Sequence, residues 1–198
     1  MGERQHVGRA IVVEPGGAMA EIDTSAALAA IRGLLDRSPV SRANARDAVL
    51  AAPHRRPPPV LFALSENLVA AGDLPGAARW FYTAQVRAQF DAGRCTDPTA
   101  ASALGVLHQR FGEPVNRWAF ADPQRVRRAA VTAVAWDRRN PHEYDHRWIA
   151  LHGMGAFTGT GGRVSTPSQD WPALAARVRA EYLQGLRDVL REHFGPGA

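Results

Sequence analysis

Apolar residues recur at helical spacing along most of the chain. Leu28, Ile31 and Leu35 fall on one helix face, and a regular apolar stripe from Leu174 to Val189 follows the same period. Capping residues, prolines and glycines divide the pattern into segments. They predict helices over about 25–37, 41–52, 60–71, 74–92, 98–111, 123–139, 142–152 and 171–194.

This pattern predicts an all-α fold, a single compact helical domain of about seven to eight helices. The only strand-like run is Ile11-Val12-Val13, which predicts one short N-terminal strand within a loose arm, residues 1–23. The helical domain then spans residues 24–198. It contains a proline-rich linker at 53–59 and a glycine-rich loop at 153–169.

The helix predicted over 74–92 is apolar on two stripes, one with Phe81 and the other with Tyr82. A helix of this kind is buried from two sides, so we expect it at the centre of the domain. Gln85 and Arg87 lie on the same helix, where little surface is exposed. They form either a buried polar network or a contact with a partner, and the network is favoured.

Small and large apolar residues alternate across the predicted hairpin at 60–92, which turns at Gly72-Asp73. The positions that carry this pattern are Leu61, Leu64, Ser65, Leu68, Ala77, Phe81 and Ala84. The segment resembles one tetratricopeptide or Sel1-like repeat, without the terminal proline of that family. The resemblance implies protein binding and no chemistry. The alternative is an ordinary αα-hairpin in a core, since no second copy of the repeat is present.

Two longer strings, at 80–87 and 144–153, are similar to those of uncharacterised helical proteins from Gram-negative bacteria that we associate with toxin neutralisation. This resemblance implies no catalytic residues. Together with the aromatic and charged side chains of the hairpin, it indicates a set of binding residues. These are Trp80, Tyr82, Gln85, Arg87, Trp148 and Arg163.

Residues His142-Glu143-Tyr144-Asp145-His146 form the string H-E-x-x-H. In zinc peptidases with this motif, two histidines at i and i+4 bind the metal from one helix face and the glutamate polarises a water. The resemblance implies His142, His146 and His152 as ligands and Glu143 as the general base of a zinc hydrolase.

Three observations weigh against that alternative. Ile149 occupies the position where metzincins have a glycine, and a β-branched residue disfavours the sharp turn needed there. Asn140-Pro141 would place the motif in the first turn of a helix, and the sequence shows no sheet to line a cleft. The simpler interpretation is a polar helix start, in which acidic residues favour the positive end of the helix dipole.

Charge and composition limit the kinds of partner and the cellular location that the sequence predicts. The net charge is +5, and all 24 basic residues are arginines spread along the chain among acids. We therefore expect an acidic protein partner, and binding to nucleic acid is disfavoured. The sequence contains no run of about 18 apolar residues, so we expect no membrane partner. The N-terminus does not resemble a signal peptide. The single cysteine, Cys95, is compatible with the cytoplasm and leaves the periplasm open.

The sequence thus predicts a non-enzymatic helical protein-binding module that acts as an adaptor or as an immunity protein against a bacterial toxin. It predicts no catalytic residue and no cofactor. The alternative is a zinc-dependent hydrolase that uses the 142–146 motif.

Overall fold

Eight α-helices build the described part of the chain, residues 19–158 and 163–195 of a computed structural model. Short 3-10 turns lie at Pro53–Arg55, Pro98–Ala101, His146–His152 and Ser168–Asp170. The helices are α1 (Ser25–Leu34), α2 (Pro39–Leu50), α3 (Pro58–Ala70), α4 (Leu74–Arg94), α5 (Ser102–Ala119), α6 (Pro123–Arg139), α7 (Met154–Thr158) and α8 (Trp171–Phe194).

The all-α prediction is confirmed. Within the described residues the only β-type pairing is an isolated bridge between Cys95 and Ser165. The predicted strand at 11–13, with most of the predicted arm, lies outside the described residues. No helix of the described segments is both long and apolar enough to cross a lipid bilayer.

Polar caps followed by proline define several helix starts. Those of α4 and α6 are where the sequence places them, whereas α2 begins at Pro39, two residues before the predicted start. The side chains of Ser38, Asp73 and Asp122 accept hydrogen bonds from backbone N–H groups in the first turns of α2, α4 and α6. Each of these helices has proline in its first two positions, where its missing N–H has no intrahelical acceptor to lose.

Helix α4 is the centre of the domain, as its two apolar stripes predict. It packs against α3, α5, α6 and α8. The rings of Phe62 on α3 and Phe81 on α4 meet edge to face, with centroids 5.4 Å apart. The Ser65 hydroxyl donates to the carbonyl of Ala77 at 2.8 Å, so a small residue brings α3 and α4 close together.

Helix α5 corrects one prediction, because it does not end at Gly112 but continues to Ala119 with Pro114 inside it. A Cβ at Gly112 would lie 3.1 Å from Cζ of Phe81. The glycine therefore serves the close approach of α5 to α4, and it does not terminate the helix.

The stretch 142–152 is not the α-helix that the sequence predicts. Residues 142–145 are non-helical, and His146–His152 form a 3-10 segment. The predicted glycine-rich loop at 153–169 also differs, since it begins with the short helix α7 and ends at a 3-10 turn. The proline-rich stretch at 53–59 is a tight connection within the domain, where Pro57 caps α3.

Candidate functional site

A fully buried ion pair joins the two central helices. Arg87 on α4 donates from Nε to Oδ1 of Asp137 on α6 at 3.0 Å. Arg179 of α8 donates to Oδ2 of the same carboxylate at 2.7 Å, and His142 Nε2 lies 2.8 Å from Oδ1. Burial alone would raise the pKa of Asp137, but the His142 hydrogen bond and the charges of His142 and Arg87 outweigh it, so the pKa is lowered.

The remaining donors of Arg87 determine the path of the chain after α6. Its Nη2 lies 3.0 Å from the carbonyl of Asn140 and 3.1 Å from that of Pro141. The guanidinium also stacks over the Trp136 ring, 4.5 Å from its centroid. These contacts hold Asn140 and Pro141 in a non-helical path, which explains why no α-helix follows. Of the two roles open to Arg87, it has that of the buried network.

A second buried cluster surrounds Asp91, one helical turn further along α4. Trp148 donates from Nε1 to Oδ2 of Asp91 at 2.7 Å, Tyr144 donates to Oδ1 at 3.3 Å, and Arg94 forms an ion pair with it. Burial raises the pKa of Asp91 although the charge of Arg94 and the Trp148 hydrogen bond oppose this. The cluster attaches the 146–152 segment to the core.

Four of the six predicted binding residues lie in the interior. The solvent-exposed fraction is 0% for Arg87, 4% for Tyr82 and Trp148, and 6% for Trp80. Trp80 packs edge to face on Trp136 with centroids 5.1 Å apart. In the folded chain these four are core and network residues, because burial of large aromatic surface outweighs its display to solvent. Gln85 is half-buried and Arg163 is exposed, so these two present more of their surface to solvent, and Tyr82 reaches the wall of a pocket.

The residues of the H-E-x-x-H string have separate partners. His142 contacts Asp137, His146 Nε2 lies 2.7 Å from the Ser165 hydroxyl, and Glu143 accepts from Arg55 at 3.1 Å. His152 lies against the Trp148 ring, with centroids 5.8 Å apart. The described residues contain no group of three or more His, Cys, Asp or Glu side chains placed to hold a metal ion. The prediction that this string forms an α-helix is wrong, so His142 and His146 do not share the helix face on which zinc peptidases of this type hold their metal.

The contact between His146 and Ser165 brings together the atom types of a base and a nucleophile, but the surroundings of the imidazole disfavour its protonated form. Burial and the nearby charge of Arg94 lower the pKa of His146 to about 4. A general base works best with a pKa near the working pH. In the part of the chain that the structure describes, no carboxylate is hydrogen-bonded to this imidazole to orient it. The pair therefore fastens the 163–166 segment to the core.

A cleft of about 450 Å³ opens between α4, α5 and α6, and we call it the arginine cleft. Arg125 stacks on Trp118 at 4.9 Å from the ring centroid, and its Nε lies 3.8 Å from Asp122. Arg79 and Arg128 are exposed and form no ion pair within the described residues. The cleft is lined by Pro75, Arg79, Trp118, Arg125, Arg128, Ala129 and Thr132.

Two further clefts differ in chemistry. An apolar groove of about 470 Å³ lies between α1, α5 and the 146–152 segment, with Leu28 49% and Val106 66% exposed beside it. A pocket of about 460 Å³ lies between α4, α5 and α8 and includes Tyr82 and Gln85. We call it the amide pocket because Gln85, Gln89 and Asn116 line it.

The sequence reasoning missed the arginine cleft. One signal was present, because Arg125, Arg127 and Arg128 surround the buried Val126 at the start of α6. Arg79 comes from another helix, and its position beside them depends on how α4 and α6 pack. Comparison of the chain with known protein families, with curated proteins and with solved structures found no match.

Proposed function

We propose that this chain is a non-enzymatic protein-binding module that recognises an acidic segment of a partner protein at the arginine cleft. The observation that carries this proposal is that Arg79 and Arg128, which form no ion pair within the described residues, line one cleft together with Arg125 and Trp118. Some exposed arginines have acidic partners, as in the pairs of Arg110 with Glu66 and of Arg191 with Asp188, and others, such as Arg138 and Arg139, form no ion pair within the described residues. Arg79 and Arg128 differ from these in lining one cleft together. Two adjacent guanidinium groups without such partners favour a carboxylate ligand.

The shape of the cleft supports a protein ligand. Trp118 and Ala129 provide an apolar wall, so that a bound segment can bury aliphatic or aromatic surface between its carboxylates. Asp122 lies at the edge, next to Arg125. It would repel the continuous phosphate chain of a nucleic acid, whereas a peptide can place its carboxylates away from it.

The partner class follows from the resemblance to toxin-neutralising proteins and from the charge of the cleft. An acidic bacterial toxin, or another acidic protein that the module escorts, satisfies both. Binding of this kind is steered by charge, so its association rate decreases as salt screens the arginines.

The test uses a charge-reversed variant with a matched control. In Arg79→Glu/Arg128→Glu the cleft is reversed, and in Arg138→Glu/Arg139→Glu the same charge change is placed on exposed arginines in the last turn of α6. Each protein is immobilised and used to capture proteins from a lysate of the native host. We expect an acidic protein that is retained by the wild type and by the control pair and is lost from the cleft variant.

Capture is followed by rate measurements with the purified partner at low and at physiological salt. Equal loss from both variants would reveal binding by overall charge and would refute the cleft as the site. Retention by the cleft variant, or the absence of any specific protein, would refute the proposal. The toxin role requires in addition that the captured protein arrest growth when expressed alone and that co-expression of this chain relieve the arrest.

A further inference from the structure

Tyr82 presents an unpaired hydroxyl in the interior of the domain. The residue retains 4% of its exposure, and its hydroxyl oxygen has no hydrogen-bond partner within the described residues. Buried polar groups are nearly always paired, and an unpaired one is costly. Tyr82 lines the amide pocket, so this unpaired hydroxyl belongs to the wall of a candidate ligand site.

The walls of the pocket combine hydrogen-bonding amides with aliphatic surface. The Tyr182 hydroxyl donates to Oε1 of Gln85 at 2.6 Å, which leaves the Gln85 amide N–H groups to donate to a ligand. Among the described residues that line the pocket none is basic, and Glu181 is the one carboxylic acid. The lining residues are Tyr82, Gln85, Gln89, Asn116, Phe120, Glu181, Tyr182, Gly185, Leu186 and Val189.

We infer that the amide pocket binds a short uncharged peptide segment with an aliphatic side chain. Carboxamides offer donors and acceptors together, which matches the N–H and C=O groups of a peptide bond. Leu186 and Val189 offer apolar surface to the side chain. The volume of about 460 Å³ lies within the range of ligand sites, which is roughly 300–1,000 Å³.

The ligand of this pocket is distinct from that of the arginine cleft. Glu181 disfavours an acidic segment here. Both sites use α4 and α5, but the arginine cleft is completed by α6 and the amide pocket by α8. The inference therefore does not depend on the proposed function. A negative result at the arginine cleft would not refute peptide binding at the amide pocket, and the reverse also holds.

The test uses the small number of tyrosines in the chain. There are three, and Tyr82 and Tyr182 line the pocket while Tyr144 belongs to the Asp91 cluster. Protein labelled with 3-fluorotyrosine is titrated with acetyl-alanyl-leucyl-alanine amide and followed by fluorine NMR. We expect the Tyr82 and Tyr182 signals to shift to saturation and the Tyr144 signal to stay in place.

Gly185 provides the blocking variant and its control. A Cβ placed there meets no atom within 4 Å, so both Gly185→Leu and Gly185→Ala fit the helix. The leucine should occupy the pocket and abolish the saturable shift, whereas the alanine should retain it. Exchange of the central leucine of the peptide for glutamate should weaken binding.

Three outcomes would overturn the inference. These are no saturable shift, equal shifts of all three tyrosines, and an unchanged titration in Gly185→Leu. If acetyl-leucine amide alone bound as tightly as the tripeptide, the flanking peptide groups would contribute nothing, and the assignment to a peptide segment would be refuted.

Discussion

The Nε atom of Arg87 lies 3.0 Å from Oδ1 of Asp137, and both side chains are almost completely removed from solvent. The pair joins α4 to α6, and its other contacts involve His142, Arg179 and the carbonyls of Asn140 and Pro141. It therefore determines how the chain leaves α6. It also assigns the first histidine of the H-E-x-x-H string to a structural hydrogen bond.

Replacement of one member of this pair should destabilise the fold strongly. Asp137→Asn leaves the buried Arg87 guanidinium without a counter-charge, and breaking such a pair costs about 3–5 kcal/mol. The free energy of unfolding is measured by urea denaturation at pH 7. Asp188→Asn, which removes an exposed partner of Arg191, is the control and should change it by less than about 1 kcal/mol. A similar small effect of both substitutions would contradict a structural role for the buried pair.

Stability should decrease as the pH falls from about 6.5 toward 4. The pKa of His146 drops from 6.5 to about 4 on folding, so in this range the unfolded chain binds a proton that the folded chain excludes. Above pH 6.5 the contribution is fully present. Burial also lowers the pKa of His108 and His152, so these residues act in the same direction.

His146→Gln keeps a side chain that can hydrogen-bond to Ser165 and removes the titration. It should make the dependence of unfolding free energy on pH between 7 and 5 shallower. The dependence should persist in part because of the other two histidines. His193→Gln, at the exposed end of α8, is the control. If the His146 variant retained the full slope, the exclusion of its proton from the folded state would be refuted.

Two glycines of α5 should respond in opposite ways to a larger side chain. A Cβ at Gly105 meets no atom within 4 Å, so Gly105→Ala should stabilise the helix by about 0.5–1 kcal/mol. Gly112 faces Phe81, and Gly112→Val should destabilise by about 1–3 kcal/mol through overpacking. Thermal and urea unfolding measure both. A stabilised Gly112→Val variant would show that α4 and α5 can separate without cost.

Metal removal should leave the protein unchanged. His142 and His146 form hydrogen bonds with Asp137 and Ser165 and do not share an α-helix, so the string lacks the two-histidine helix face of a zinc site. We expect the same melting temperature before and after dialysis against a chelator, and no stoichiometric zinc by mass spectrometry of untagged protein. One zinc per chain, lost in His146→Ala, would restore the hydrolase alternative.

Local signals in the sequence were sufficient for much of the helical framework. The caps at Asp73 and Asp122 with their following prolines act within one turn, so their effect can be read without knowledge of the neighbours. The pattern at Ser38-Pro39 predicts only the end of the first helix, although the same residues also begin α2. The two-striped helix 74–92 likewise indicated its central position. Where the prediction was wrong, at Gly112, a glycine had a packing role that no local pattern distinguishes from a helix stop.

The candidate sites were much less predictable, because they are made of residues distant in sequence. Arg79 and Arg128 line one cleft from two different helices, and the amide pocket takes its walls from α4, α5 and α8. The sequence pointed to Tyr82 and Gln85, which line that pocket, but it could not separate them from Trp80 and Arg87, which lie in the core.

The sequence by itself determined the class of fold, because helical periodicity, caps and prolines act over a few residues. Only the tertiary structure decided what the 142–146 string does. Its conformation depends on a guanidinium more than fifty residues earlier in the chain, since Arg87 contacts the carbonyls of Asn140 and Pro141. A buried charge is costly unless it is paired and hydrogen-bonded, and its partners can come from any part of the chain. That requirement outweighs the local preference of the string for a helix.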